Sequence, residues 1–298
     1  MLRLVSFLFI SALCMSLYAQ ELDLPRVSPA ASTTFTVGMT DVTVRYSSPA
    51  VRGRTIWGDL VPYNQIWRAG ANEATVITFN RDVLIEGQPL EAGSYSFFII
   101  PRQDDRWVVV FNREPEQWGA YSYDERMDAL RLEVAVDTLC AQEERLHYYL
   151  SDNDLDAGTL CLRWDARQLC LDFSVPVLDQ IERRLAESLE ASPADQAWRR
   201  YAEVADFLRA YESFLPEALT YAIASTARDD HSWNWWLRAQ IEGRLGDFQS
   251  ATFSAERALE VGQANTNDPF YQNTRGVIEA QLSQWRTALQ QSAEGRGR

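Results

Sequence analysis

Residues with the capacity to bind a ligand are concentrated between Arg52 and Glu73. Guanidinium groups fork onto a carboxylate, sulfate or phosphate, and indole rings stack on planar or sugar faces. The segment therefore predicts a loop that binds an anionic or carbohydrate small ligand. A structural interpretation is also open, in which the tryptophans plug the end of a β domain and the acid pairs with an arginine. The candidate ligand-binding residues are Arg52, Arg54, Trp57, Trp67, Arg68, Asn72 and Glu73.

Catalytic signatures are sparse, so the sequence favours a protein that is not an enzyme. All 28 basic residues are arginine, which excludes Schiff-base enzymes, pyridoxal phosphate enzymes and phosphate-binding loops that need a lysine amine. Two histidines occur, and no Gly-x-Ser-x-Gly elbow is present. The alternative from a different class is a hydrolase of a glycan or ester, with Glu73 as acid or base beside Arg68 and Asn72.

The sequence predicts neither a cofactor nor a metal site. Oxygen-bearing side chains alternate along Ser151–Asp156, as they do in a calcium loop. The run lacks the glycine and the distant glutamate of a full EF-hand, so a solvated turn between strands is the favoured interpretation.

Two cysteines, Cys161 and Cys170, flank a strand pattern centred on Asp165 and Ala166. If those central residues form a hairpin loop, the cysteines face each other and a cross-strand disulfide is geometrically possible. Two small apolar side chains in a core are the alternative, because a one-residue change in loop length would move the pair out of register. Cys140 is left over and is expected to be buried.

Residues 1–19 have the layout of a cleaved secretory signal, with Arg3, an apolar run from Leu4 to Met15, and Ala19 before Gln20. The apolar run is shorter than the ~20 residues of a spanning helix. We therefore expect an exported protein, periplasmic or secreted, cleaved after about Ala19 and without a membrane span. A disulfide fits that compartment. The formal charge of −14 marks an acidic protein and argues against nucleic acid as a partner.

Residues 20–32 are expected to form a linker, and residues 33–178 then alternate with the two-residue period of β-strands. About ten short strands with tight connections predict an antiparallel β-sandwich or jelly-roll-like domain. The hairpin formed by Tyr95–Ile100 and Trp107–Phe111 is apolar on both faces, so it must be covered on both sides. The second domain, residues 179–298, is the expected outer cover.

Residues 179–298 change to a period of about 3.6 and predict an all-α domain. Ala218 and Ala251 lie 33 residues apart in two similar segments, close to the ~34-residue tetratricopeptide period. The match is degenerate, since the usual later proline is displaced. The fold class is therefore α+β multidomain, with a tetratricopeptide-like helical repeat after the β domain.

Several ordered motifs of the β domain resemble an exported bacterial family called domain of unknown function 2911. The resemblance covers about residues 35–176 and implies a fold but no established activity. One departure is Asn64, where the family pattern leads us to expect glycine. The motifs are Ser48 to Tyr63, Ile66 to Thr75, Leu90 to Tyr95, Ile100-Pro101, Val110 to Asn112 and Trp118 to Tyr123.

These features together predict a non-catalytic exported binding or adaptor protein. Its arginine- and tryptophan-lined site belongs to the β domain, and its helical repeat is expected to contact a protein partner. Trp118, Tyr121 and Tyr123 form a second candidate aromatic platform, for which core packing is the alternative.

Overall fold

The computed structural model describes residues 24–151, 153–265 and 267–296, and the expected signal sequence at residues 1–19 lies outside them. Within the described residues, nine strands precede six helices, which confirms the predicted fold class. The strands are β1 (Ala30–Val37), β2 (Thr40–Ser47), β3 (Thr75–Phe79), β4 (Val83–Ile85), β5 (Gln88–Leu90), β6 (Gly93–Ile100), β7 (Arg106–Asn112), β8 (Asp128–Ser151) and β9 (Ala157–Ser174).

The strands form one antiparallel sheet in the order β1-β2-β3-β6-β7-β8-β9-β4-β5. The long strand β8 joins its two halves, because it pairs with β7 up to Ala135 and with β9 from Val136 onward. The inner faces of the two halves pack on each other. The rings of Tyr46 and Tyr148, one from each half, lie 4.8 Å apart at their centroids. A single apolar core therefore lies between the halves, as expected for a sandwich.

Strand β9 turns back on itself at Asp165, whose φ of 54° lies in the left-handed region. Residues equally far from the Asp165–Ala166 pair face each other. Cys161 and Cys170 form a disulfide with their Cα atoms 4.1 Å apart, and the Thr159 hydroxyl donates to Asp172 at 2.7 Å. Cys140 is an exposed free thiol on β8, so the expectation that it is buried was wrong.

The outer face of the β6–β7 hairpin is covered by the β domain itself. Phe98, Val108 and Val110 are buried on this face and pack against Ala120 and Tyr123 of the connection between β7 and β8. The expectation that the helical tail supplies this cover was therefore wrong. A local connection can close the face because it runs directly out of β7 and back across the same strands.

The tail contains α1 (Val177–Ala191), α2 (Ala197–Leu208), α3 (Leu215–Thr226), α4 (Ser232–Arg244), α5 (Phe248–Ala264) and α6 (Pro269–Arg296). Consecutive helices pack on one another. Ala218 on α3 and Ala251 on α5 are fully buried, because small side chains allow close helix packing. The tail docks on the turn between β1 and β2, where the Gln180 amide donates to the Thr40 hydroxyl at 3.1 Å. No helix within the described residues is both long and apolar enough to cross a membrane.

Candidate functional site

The two tryptophans of the predicted ligand loop lie in a cluster of four. Trp57 is 4.6 Å from Trp107 and 5.6 Å from Trp67, measured between ring centroids. Trp67 stacks on Trp164 at 5.7 Å and donates its indole N–H to the Gly70 carbonyl at 3.2 Å. Trp67 is buried and Trp57 is partly buried, so their faces contact other rings rather than an open surface.

The three arginines of that loop have different neighbours. Arg52 is exposed, and its contact within the described residues is a backbone N–H that donates to Glu144 at 3.0 Å. Arg54 donates to nearby backbone carbonyls, including that of Val51 at 3.0 Å. Arg68 is partly buried, and its Nε has no hydrogen-bond partner among the described atoms. Burial lowers the pKa of the Arg68 guanidinium, an effect that the nearby Tyr121 opposes.

Asn72 and Glu73 tie the N-terminal segment to the β domain. The Asn72 amide donates to the Ser28 carbonyl at 3.2 Å and to the Ser47 hydroxyl at 3.1 Å. Glu73 accepts two hydrogen bonds from Arg26, each 2.8 Å long. Its own backbone amide, and after it Arg26, hold the Glu73 pKa below the ordinary value, while partial burial opposes them. Glu73 is therefore a carboxylate at neutral pH, which suits a base or a charge partner and not a proton donor.

An open groove of about 740 Å³ lies on the outer face of β1, β2 and β3. We call it the outer groove. Arg45 and Val76 line it from neighbouring positions on β2 and β3, and the Arg26–Glu73 pair lines it as well. The opposite wall is the start of the β7–β8 connection, including Pro115, Glu116, Gln117 and Trp118.

The wall of the outer groove is fixed by backbone pairing with the segment that carries two predicted site residues. The Ala74 amide donates to the Gln117 carbonyl at 2.9 Å, and the Gly119 amide donates to the Asn72 carbonyl at 3.0 Å. Glu73 and Trp118 form the bridge between them. This pairing leaves the Trp118 side chain 58% exposed beside the groove.

The buried side chain of Gln117 holds the wall of the outer groove together. Its side chain is 5% exposed, and its Nε2 donates to Asn112 Oδ1 at 3.1 Å and to the Glu114 carbonyl at 2.8 Å. Its Oε1 atom has no hydrogen-bond partner among the described atoms. Because that oxygen is itself buried, it lies within the wall and is not open to a ligand in the groove.

The β domain matches the model of a known protein family. Residues 28–173 match the family described as protein of unknown function (DUF2911). This part of the chain resembles that family. No curated protein and no solved structure matches the chain. In the DUF2911 domain, Asn64 has a φ of 61°, which explains why glycine is expected there and why asparagine is tolerated.

A polar network holds the β7–β8 connection of the DUF2911 domain in place. The Asn112 amide donates to Asp128 at 2.9 Å, and the Tyr123 hydroxyl donates to the other oxygen of Asp128 at 2.8 Å. Arg131 donates to that same oxygen at 3.2 Å. Burial, and next the hydrogen bond to Asp128, raise the pKa of Tyr123 to about 12. The network supports the wall that carries Gln117 and Trp118.

The sequence identified only part of this site. Glu73 was a candidate, and Trp118 belonged to the second aromatic platform. Arg45 and Gln117 were missed, because a single arginine in a strand and a glutamine in a loop carry no motif. The signal that could find Arg45 is its position in a strand whose alternate residues are buried, which places it on the outer face.

Proposed function

We propose that the protein is a non-catalytic, exported binding protein that holds a saccharide in the outer groove of its DUF2911 domain. The observation that carries the proposal is that an exposed indole, Trp118, lines one groove together with Arg45, an exposed arginine without an ion pair among the described residues. An aromatic face with a few placed polar groups is the usual composition of a small-ligand site.

A saccharide ring matches these groups. Its apolar C–H face packs on an indole, and its hydroxyl oxygens accept hydrogen bonds from a guanidinium such as that of Arg45. Export is supported by the signal-like residues 1–19 and by the Cys161–Cys170 disulfide, which is compatible with an oxidising compartment. The helical tail is the proposed protein-binding part, since Phe253 on α5 and Val277 on α6 are each 59% exposed.

Saccharide binding is tested on the chain from Gln20 by glycan array and titration calorimetry. Tyr121 provides a matched control, because it is 88% exposed on the same connection but does not line the outer groove. We expect Trp118→Ala to weaken binding by about tenfold or more and Tyr121→Ala to leave it unchanged. Absence of any saccharide ligand, or equal binding by Trp118→Ala, would overturn the proposal.

Incubation of the protein with the same saccharides also tests for hydrolysis. Release of products that is abolished in Glu73→Gln would favour the glycan or ester hydrolase in place of a binding protein. For the tail, pull-down from envelope extract compares the wild-type chain with Phe253→Asp. Recovery of the same proteins by both would count against a partner site on α5.

A further inference from the structure

We propose that the saccharide bound in the outer groove is acidic, and that Arg45 binds its carboxylate. This inference rests on the proposed function and adds to it the chemical class of the ligand. The inference rests on the charged side chains that line the groove, because some of them are already paired with an opposite charge and others are not.

Two arginines line the outer groove, and one of them is occupied. Arg26 lies 2.8 Å from both carboxylate oxygens of Glu73, so its charge is already paired. Arg45 has no ion pair and no side-chain hydrogen bond within residues 24–151, 153–265 and 267–296. Its cross-strand neighbours are Ser32 on β1 and Val76 on β3, and neither is charged. A guanidinium presents parallel donors that match a carboxylate in a bidentate arrangement.

The wall of the groove carries one acid that faces the same space. Glu116 is exposed and lines the outer groove. Exposed charges interact weakly in water and are screened within about 10 Å at 0.1 M salt. Glu116 therefore reduces, but does not cancel, the preference that a bidentate contact with Arg45 gives to a carboxylate.

Trp118 limits what else the ligand can be. Its side chain is 58% exposed beside the groove and offers an apolar indole face. A small inorganic anion such as sulfate can bind Arg45 but has no apolar face to pack on that indole. A sugar acid provides both requirements: an apolar ring face for Trp118 and a carboxylate for Arg45.

The test compares three oligosaccharides of equal length by calorimetry on the chain from Gln20: a uronic acid oligosaccharide, its carboxyl-reduced neutral form, and a sulfated neutral form. We expect the uronic acid form to bind about tenfold more tightly than the reduced form, a preference that weakens at high salt. Arg45→Gln should abolish that preference and still bind the neutral form. Arg183→Gln is the matched control, since Arg183 is an exposed arginine of α1 and does not line the outer groove.

The outcomes separate the two proposals. Equal affinity for the acidic and reduced forms, or an unchanged preference in Arg45→Gln, would overturn the role of Arg45 and leave saccharide binding intact. Equal binding of the sulfated and uronic acid forms would overturn the inference that the ligand's acidic group is a carboxylate. Failure of all three oligosaccharides to bind counts against both proposals. Arg45→Lys keeps the charge without the fork, and it should retain only part of the preference.

Discussion

One terminal nitrogen of Arg26 lies 2.8 Å from both carboxylate oxygens of Glu73. The pair joins the segment before β1 to the segment before β3 and lines the outer groove. Both side chains are about half exposed, so the contact adds little to the stability of the whole domain. Its main effect is local, because it helps the backbone amide of Glu73 to lower the pKa of that carboxyl, and because it pairs Arg26 and so leaves Arg45 as the unpaired arginine among the described residues that line the groove.

Removal of Arg26 should raise the pKa of Glu73. The backbone amide of Glu73 and then Arg26 hold the Glu73 pKa below its ordinary value. Arg26→Ala should therefore remove part of that lowering, while the part that comes from the backbone amide remains. A lowered carboxyl pKa stabilises the fold above the unfolded value and loses that contribution as pH falls through the folded value. As the pH is lowered, the free energy of unfolding should therefore fall by less in Arg26→Ala than in the wild type.

Carbon NMR titration of the Glu73 carboxyl measures this effect. Arg275→Ala is the control, since Arg275 pairs with Glu279 on α6 in a separate part of the chain. An identical Glu73 titration in wild type and Arg26→Ala would show that the ion pair does not form in solution.

Alkaline pH should loosen the wall of the outer groove. The pKa of Tyr123 is raised to about 12, first by burial and then by the hydrogen bond to Asp128. A phenol whose pKa is raised on folding stabilises the fold below its unfolded value of about 10, and the contribution disappears as pH rises through the folded value. We therefore expect stability to fall between about pH 10 and pH 12.

Ultraviolet titration and denaturant melts across that pH range check the prediction. Tyr123→Phe should be less stable at neutral pH and should lose less stability on the alkaline side. Tyr121→Phe, at an exposed position, is the control that should behave as wild type. A Tyr123 signal that titrates near 10 would contradict the prediction.

The extent to which the fold was predictable depends on how local each signal is. The strands were predictable because β-branched and aromatic residues are concentrated in short segments, where they alternate with polar residues in β2 and follow one another in β6. The prediction that Cys161 and Cys170 face each other depends only on placing the hairpin loop at Asp165 and Ala166. The cover of the β6–β7 hairpin was not predictable in this way, because two apolar faces reveal that a cover exists and not which segment supplies it.

The outer groove was harder to predict than the fold for a related reason. Its wall forms where residues 72–74 pair with residues 117–119, a contact between segments more than forty residues apart. No period or motif marks such a pairing. The predicted loop is rich in arginine and tryptophan, but Trp67 is buried and the Arg54 side chain donates to the backbone carbonyl of Val51.

The mature chain should contain one free thiol. Cys161 and Cys170 are bonded and Cys140 is free, so a thiol count on the unreduced, denatured chain from Gln20 should give one. Three thiols would contradict the disulfide. Cys161→Ser with Cys170→Ser should lower the free energy of unfolding by about 2–3 kcal/mol, because the unfolded chain loses a closed loop of nine-residue separation. Cys140→Ser, at an exposed position, is the control and should leave stability unchanged.

Two glycines of the tail should respond to alanine in opposite directions. A Cβ on Gly243 of α4 would lie 2.5 Å from the ring of Trp285, which is buried in the core shared by α4, α5 and α6. Gly243→Ala should therefore lower the free energy of unfolding by about 1–3 kcal/mol. Gly276 lies on the exposed side of α6 with no atom within 4 Å of the added Cβ, so Gly276→Ala should raise it by about 0.5–1 kcal/mol. Denaturant melts of both variants measure the difference, and a neutral Gly243→Ala would show that α4 and α6 do not pack as closely as the structure has them.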